Sequence, residues 1–219
     1  MTSELAPPSL TLPGTWRAVV SDMDGLLVRT DPTWVRAKQI LFARHGVQFQ
    51  PSDQTAVFGA AEIYSATYFT QRFGLPESEM PAIRREYMDI VHRLFLEPVE
   101  VNPGATELVE RLAGTVPLGL ASNTRRTLVD EVLANTTFDG RFDAITTGDE
   151  VEPKPAPDIY LLACERLGVE PAHAVALEDS PLGVQAAKAA GMACIGVPSD
   201  PTEPLQDADH VVRSLTELL

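Results

Sequence analysis

Asp22 and Asp24 stand two residues apart in the stretch WRAVVSDMDGLL, with Gly25 directly behind them. Side chains two apart in extended backbone point the same way. Such a carboxylate pair can hold a divalent cation, or divide labour so that one acid attacks a substrate while the other moves protons. Gly25 lets the chain turn sharply. Asp and Gly are also ordinary turn residues, so the surroundings decide. A short β-branched run, Ala18-Val19-Val20, precedes the acids and reads as a buried strand. It delivers both carboxylates to a strand's carboxyl end, outside which the reactive crevice of an open α/β sheet lies.

Three further stretches place reactive groups in the same kind of position. In LGLASNT an apolar strand ends in Ser122-Asn123-Thr124. A hydroxyl and backbone N–H groups just ahead of a helix suit an anionic oxygen, and these residue types are also favoured helix caps. In EVEPKPAPDIY, Pro153 and Pro155 stiffen the backbone on either side of Lys154, and Pro157 begins a helix. In AVALEDSPLGVQAAKAAG a strand ends in Glu178-Asp179-Ser180, followed by a helix-starting proline and a closing Gly191. A second acidic pair at a second strand end is what a shared cation needs, and Mg²⁺ takes one or two carboxylates, waters and substrate phosphate oxygens. Together the four tips supply a nucleophile, an anion cradle, a fixed cation and a metal site, the inventory of phosphoryl transfer.

The elements that must position these tips are legible from periodicity. After Leu27, WVRAKQILFARHG, PSDQTAVFG, EIYSATYFTQRFG and Glu79–Glu97 read as helical, with no convincing strand between Asp31 and Glu97. Beyond Pro103-Gly104, strands alternate with helices: VPLGLAS, 142–146, HAVALED, 193–197 and a last short strand in DADHVVRSL running into a terminal helix. Alternation of this kind predicts a parallel, doubly wound sheet. The predicted fold class is therefore α/β, a Rossmann-like doubly wound core formed by 16–30 and 98–219, with a helical sub-domain inserted at 31–97. Residues 1–15, with three prolines, read as an extended lead-in.

Composition narrows the partners. The chain has 219 residues, 44% of them hydrophobic, and a formal net charge of −14. That charge, with no Lys/Arg cluster to override it, disfavours nucleic acid. No run approaches the length of a membrane span, and the N-terminus lacks the basic and apolar regions of a signal peptide. Cys164 and Cys194, outside any CxxC pattern, read as reduced core thiols of a cytoplasmic protein. The residues assign no oligomeric state.

The sequence resembles the haloacid-dehalogenase-like hydrolase superfamily, on the strength of DMDG from Asp22, the Ser122-Asn123 strand end, Lys154 within KPAPD, and Glu178-Asp179-Ser180 followed by GVQAAKAAGM. Order and spacing match over nearly the whole chain after Arg17. The helical insert is similar to the cap of phosphoglycolate-phosphatase-like and β-phosphoglucomutase-like enzymes. The resemblance implies a Mg²⁺-dependent phosphatase acting on a small phosphorylated metabolite. Asp22 would attack phosphorus and form an aspartyl phosphate, and Asp24 would protonate the leaving oxygen and then activate water. Ser122, Asn123, Lys154 and the backbone at Gly25 would bind the phosphoryl group, with Lys154 also restraining Asp22. Asp22, the carbonyl of Asp24, Asp179 and Glu178 would hold Mg²⁺. The alternative it implies is a sugar-phosphate mutase of the β-phosphoglucomutase type.

Departures from the family pattern bear on that choice. The Asp usual seven residues after the nucleophile is Arg29 here, the mutases' His twelve residues after it is Trp34, and the position of their cap Arg is matched by Glu62, a negative charge expected to repel a second phosphate. Asp24 itself argues against the dehalogenase branch, which lacks the second acid, and against the phosphonatase branch, which has Ala there.

Overall fold

The structure, a computed structural model, describes residues 16–199 and 204–219; the lead-in expected over residues 1–15 lies outside them. In chain order the described elements are β1 (Ala18–Ser21), β2 (Val28–Arg29), α1 (Asp31–Arg44), α2 (Pro51–Ala56), α3 (Glu62–Arg72), α4 (Met80–Phe95), β3 (Glu100–Val101), α5 (Ala105–Leu112), β4 (Leu118–Ser122), α6 (Arg126–Ala134), β5 (Ala144–Thr147), α7 (Asp158–Leu167), β6 (Ala174–Glu178), α8 (Pro181–Ala189), β7 (Ala193–Gly196) and β8 (His210–Val211). The chain closes on a 3₁₀ turn, Leu215–Leu218, where a terminal helix was expected.

Six strands form one parallel sheet in the order β5-β4-β1-β6-β7-β8. β1 and β4 bury every residue, as the apolar runs of a two-sided parallel sheet require. Alternate residues feed opposite faces. Val19, Leu120 and Leu177 join Leu108, Val109, Leu128 and Val132 of α5 and α6 on one side. Ala18, Val20, Ala121 and Ala176 meet Ile159, Ala163, Val184 and Ala187 of α7 and α8 on the other. β1 sits in the middle, with later strands added on both sides. The crevice beyond its carboxyl end is therefore the topological switch point of the sheet, where ligands of such folds bind.

The four inserted helices pack around an aromatic centre. Phe42 and Phe69 meet edge-on at 5.5 Å, Phe69 and Tyr87 at 5.1 Å, and Trp34 and Phe95 at 5.1 Å. α1 begins at Asp31, earlier than the helical run from Trp34, because Pro32 fits the first turn of a helix, where its missing N–H is not needed. The two connectors to this helical layer pair as an antiparallel ribbon of β2 and β3, with Val28 opposite Val101 and Arg29 opposite Glu100. Arg29 reaches Glu100 at 3.3 Å, an exposed pair. Among the described residues no helix is long and apolar enough to cross a membrane.

Candidate active site

Every acid and base singled out in the sequence arrives at the carboxyl edge of the sheet. Asp22 follows β1 directly, and its N–H continues the ladder to the carbonyl of Leu177 at 2.9 Å. The residue is 5% exposed. Lys154 binds it from the loop before α7: Nζ donates to Asp22 Oδ1 at 2.5 Å, to Glu178 Oε1 at 2.6 Å and to the carbonyl of Ala121 at 2.8 Å. All three ammonium protons are thereby used, so the amine is fixed. The loop itself is held by Asn123, whose Oδ1 accepts from the Lys154 N–H at 2.8 Å and whose Nδ2 donates to the Lys154 carbonyl at 3.2 Å. Burial opposes the charge on Lys154, but the carboxylates of Asp22 and Glu178 outweigh it and raise its proton affinity above the ordinary value.

Asp179 completes the acidic floor. One carboxylate oxygen each of Asp22, Glu178 and Asp179 lies within 4.8 Å of the others. Burial pushes the Asp22 carboxyl well above the ordinary range against the pull of Lys154, with Glu178 and Asp24 adding to the rise. Burial, Asp22 and Glu178 do the same to Asp179. Three buried carboxylates share one ammonium, and Asp22 Oδ2 is buried without a hydrogen-bond partner. A divalent cation satisfies that orphan oxygen and the surplus charge together. Gly25 adopts φ 79°, and a Cβ there would collide with Asp179 Oδ2, so the turn that lets this carboxylate approach is open only to glycine. Glu178 is oriented further by the Tyr160 hydroxyl at 2.5 Å and the Asp179 N–H at 3.1 Å.

Asp24 is held by four donors from two parts of the chain. Thr30 Oγ1 at 2.7 Å and Trp34 Nε1 at 3.1 Å serve Oδ1; Ser122 Oγ at 2.9 Å and Thr124 Oγ1 at 2.8 Å serve Oδ2. Ser122 is fully buried, donates to Asp24 and accepts from the Thr124 N–H at 3.0 Å. The hydroxyl expected to bind a phosphoryl oxygen is thus held by Asp24.

A cavity of about 90 Å³ lies between this floor and the helices. Asp22, Asp24, Asn123, Thr124, Lys154 and Asp179 line it from the sheet side; Asp31, Trp34, Lys38, Gln54 and Glu62 line it from the helical side. Asn123 Nδ2 also donates across it to the carbonyl of Gly59 at 3.0 Å. Glu62 is not the bare charge that the sequence suggested. Arg125, on the sheet side, reaches it at 2.5 Å, and Arg84 of α4 pairs with the same oxygen.

Sequence reasoning missed several of these roles. Thr30, Thr124 and Tyr160 carried no signal beyond turn and helix composition, although Thr124 adjoins Ser122-Asn123. Trp34 was legible only as a departure from a pattern. Lys38 looked like one more polar residue of a helix.

A family model described as haloacid dehalogenase-like hydrolase matches residues 19–197, and the chain belongs to that family. It is a phosphomonoester hydrolase. The fructose-1-phosphate phosphatase YqaB of Escherichia coli is 30% identical over 183 residues, covering 83% of this chain and 96% of the relative. A phosphorylated carbohydrates phosphatase of Thermotoga maritima is 32% identical over 177 residues, covering 80% and 82%. Among solved structures, CbbY from Rhodobacter sphaeroides in complex with phosphate superposes with a TM-score of 0.81 at 29% identity, covering 93% of this chain and 96% of that one.

Proposed function

We propose that the protein hydrolyses a small phosphorylated carbohydrate or related phosphomonoester through an aspartyl phosphate on Asp22. The observation that carries this reading is the state of Asp22. One oxygen is pinned by Lys154, and the other is unpartnered in a residue that lines the cavity beside Asp24. A carboxylate is a weak nucleophile, and it attacks an anionic phosphate only where positive charge is placed nearby.

In this reading Asp22 attacks phosphorus as the P–O bond to the substrate breaks, and Asp24 gives its proton to the departing oxygen. Asp24 then takes a proton from water. The resulting nucleophile attacks the phosphorus of the phospho-enzyme, and the P–O bond to Asp22 breaks to release inorganic phosphate. The phosphoryl oxygens draw onto themselves donors that Ser122, Asn123 and Lys154 otherwise give to Asp24, Gly59 and Glu178, and the N–H groups around Gly25 complete the cradle. Asp22, the Asp24 carbonyl and Asp179, with Glu178 as inner or outer partner, would hold Mg²⁺, which would supply neutralisation of charge on the transferred group. Residues 31–97 act as a cap on the core formed by 16–30 and 98–219, and its closure excludes bulk water. The names of the relatives support a sugar-phosphate class of substrate. Two free buried cysteines fit a cytoplasmic location.

The test is phosphate release from a panel of sugar phosphates, phosphoglycolate and nucleotides with Mg²⁺. EDTA should abolish release and Mg²⁺ restore it, while Ca²⁺ should inhibit because its larger, looser shell misplaces the attacking oxygen. Asp22→Asn should fall below about a hundredth of wild type with its thermal midpoint retained. Full activity in excess chelator, or in the Asn variant, would sink the assignment.

A further inference from the structure

Asp31, Trp34 and Lys38 lie at i, i+3 and i+7 of α1, one face of the helix, and all three line the cavity above Asp22 and Asp24. Trp34 is committed to Asp24. Lys38 is not used by the chemistry described above. It is 4% exposed, and its Nζ donates to Gln54 Oε1 of α2 at 2.8 Å. An ammonium has three protons to donate, and Gln54 takes one. The Gln54 amide, its oxygen engaged, keeps an NH₂ group to offer. Burying an ammonium is costly unless partners meet it, and burial draws the proton affinity of Lys38 down to about 8 against the opposing field of Asp31. At neutral pH the cavity wall therefore carries a charged donor with capacity to spare.

Charge counting says what that donor meets. Lys38, Arg125 and Lys154 line the cavity with Asp22, Asp31, Glu62 and Asp179, and Glu178 stands in the floor with them, while Asp24 is neutral as the proton donor. A divalent cation would bring this balance to zero, and a phosphoryl group then adds about two negative charges. A second anionic group on the substrate would be placed in a pocket already in negative excess. A hydroxyl is neutral, and it both donates and accepts. Lys38 and Gln54 offer donors to it, beside Asp31 on the same helix face.

We propose that Lys38, with Gln54 and Asp31, forms a hydroxyl-reading subsite on the leaving-group side, so that the substrate is a phosphorylated polyol selected through Lys38. The proposal rests on the phosphatase reading and adds the residue that sets substrate preference.

The experiment compares kcat/KM for fructose-1-phosphate, ethyl phosphate and phosphoglycolate in wild type, Lys38→Met and Gln54→Leu, with Mg²⁺ present. The Met side chain matches the apolar stem of Lys and removes a buried charge, so Lys38→Met should fold, with its thermal midpoint as check. Loss of hydrogen bonds from a charged donor should lower kcat/KM for fructose-1-phosphate about 10- to 100-fold, mostly through KM, with ethyl phosphate falling no more than about threefold. Gln54→Leu should act in the same sense, more weakly. Equal losses on both esters, or no loss on either, would overturn the subsite. Wild-type preference for phosphoglycolate that disappears in Lys38→Met would overturn the polyol class in favour of a carboxylate. Wild type inert to all three esters would sink the phosphatase reading itself, a result distinct from a wild type that cleaves them without discrimination through Lys38.

Discussion

Asp24 takes hydrogen bonds from Thr30, Trp34, Ser122 and Thr124, and these donors come from two separate stretches of chain. A carboxylate so held is oriented before substrate arrives, which is how positioned groups lower a barrier without reorganising during the reaction. Trp34 is informative because its ring is anchored elsewhere, edge-on to Phe95 at 5.1 Å and tilted to Tyr87 at 6.2 Å. Trp34→Phe should keep most of that packing and lose only the N–H donated to Asp24. Hydrogen bonds to charged groups are worth about 1.5–3 kcal/mol, so kcat should fall roughly tenfold or more while KM stays within about threefold. Steady-state kinetics on one good substrate decides this, and an unchanged kcat would remove Trp34 from the positioning of Asp24. Asp22, Asp24, Ser122, Asn123, Glu178 and Asp179 were legible in the sequence because each follows a short apolar run and strand ends of a parallel sheet converge, and Lys154 through the prolines on either side of it. The donors to Asp24 were not: Ser122 and Thr124 lie about a hundred residues away in sequence, and nothing local to either marks the partnership.

Among the elements, α2 depends on one buried acid. Asp53 accepts from the Gln50 N–H at 2.8 Å, closing a capping box, and from the Tyr68 hydroxyl at 2.7 Å and Arg72 Nε at 2.9 Å on α3. Burial alone would raise its proton affinity; the Tyr68, Gln50 and Arg72 donors overcome that and hold the carboxyl below its usual range. The stability it contributes is therefore fully present above the unfolded value near ~3.9, and is lost as pH falls through the lower folded value. Asp53→Asn should cost about 1–3 kcal/mol at neutral pH and lower the thermal midpoint by roughly 3–10 °C. It should also flatten the loss of stability on acidification below about pH 4. Urea titrations at pH 7 and pH 3 would show it, and an equal deficit at both would contradict the charge-based account. The helices themselves were readable from their apolar spacing, as with Ile83, Tyr87, Ile90, Val91 and Leu94 on one face of α4. The β2–β3 ribbon was not, since two residues on each side give no alternation to detect and their pairing joins Val28 to Val101 across the whole insert. The burial of Lys38 was hidden for a related reason, because a helix pattern does not say which second surface its polar side will meet.

For the molecule as a whole, the question is whether a phosphorylated intermediate meets water or a second phosphate. The sheet side and the helical side are tied across the cavity by Asn123 to Gly59 and by Arg125 to Glu62. Arg125, which lines the cavity, and Arg84 of α4 are both engaged by Glu62. A substrate carrying two phosphates would have to break that cluster and leave a carboxylate facing its own charge. Trp34 stands where the mutases have a His, and an indole N–H donates but does not accept a proton. The enzyme should therefore hydrolyse and not isomerise. Incubated with β-glucose-1-phosphate and trace glucose-1,6-bisphosphate, it should release free phosphate faster than it forms glucose-6-phosphate, and the opposite order would make it a mutase. The claim beneath all of this is that Asp22 carries the phosphoryl group. Its most direct test is to mix enzyme, Mg²⁺ and a ³²P-labelled substrate, quench in acid within the first turnover, and map the label by peptide mass spectrometry. The account predicts label on the Asp22 peptide, released by hydroxylamine and absent in Asp22→Asn; label on another residue, or turnover with none on the protein, would contradict it.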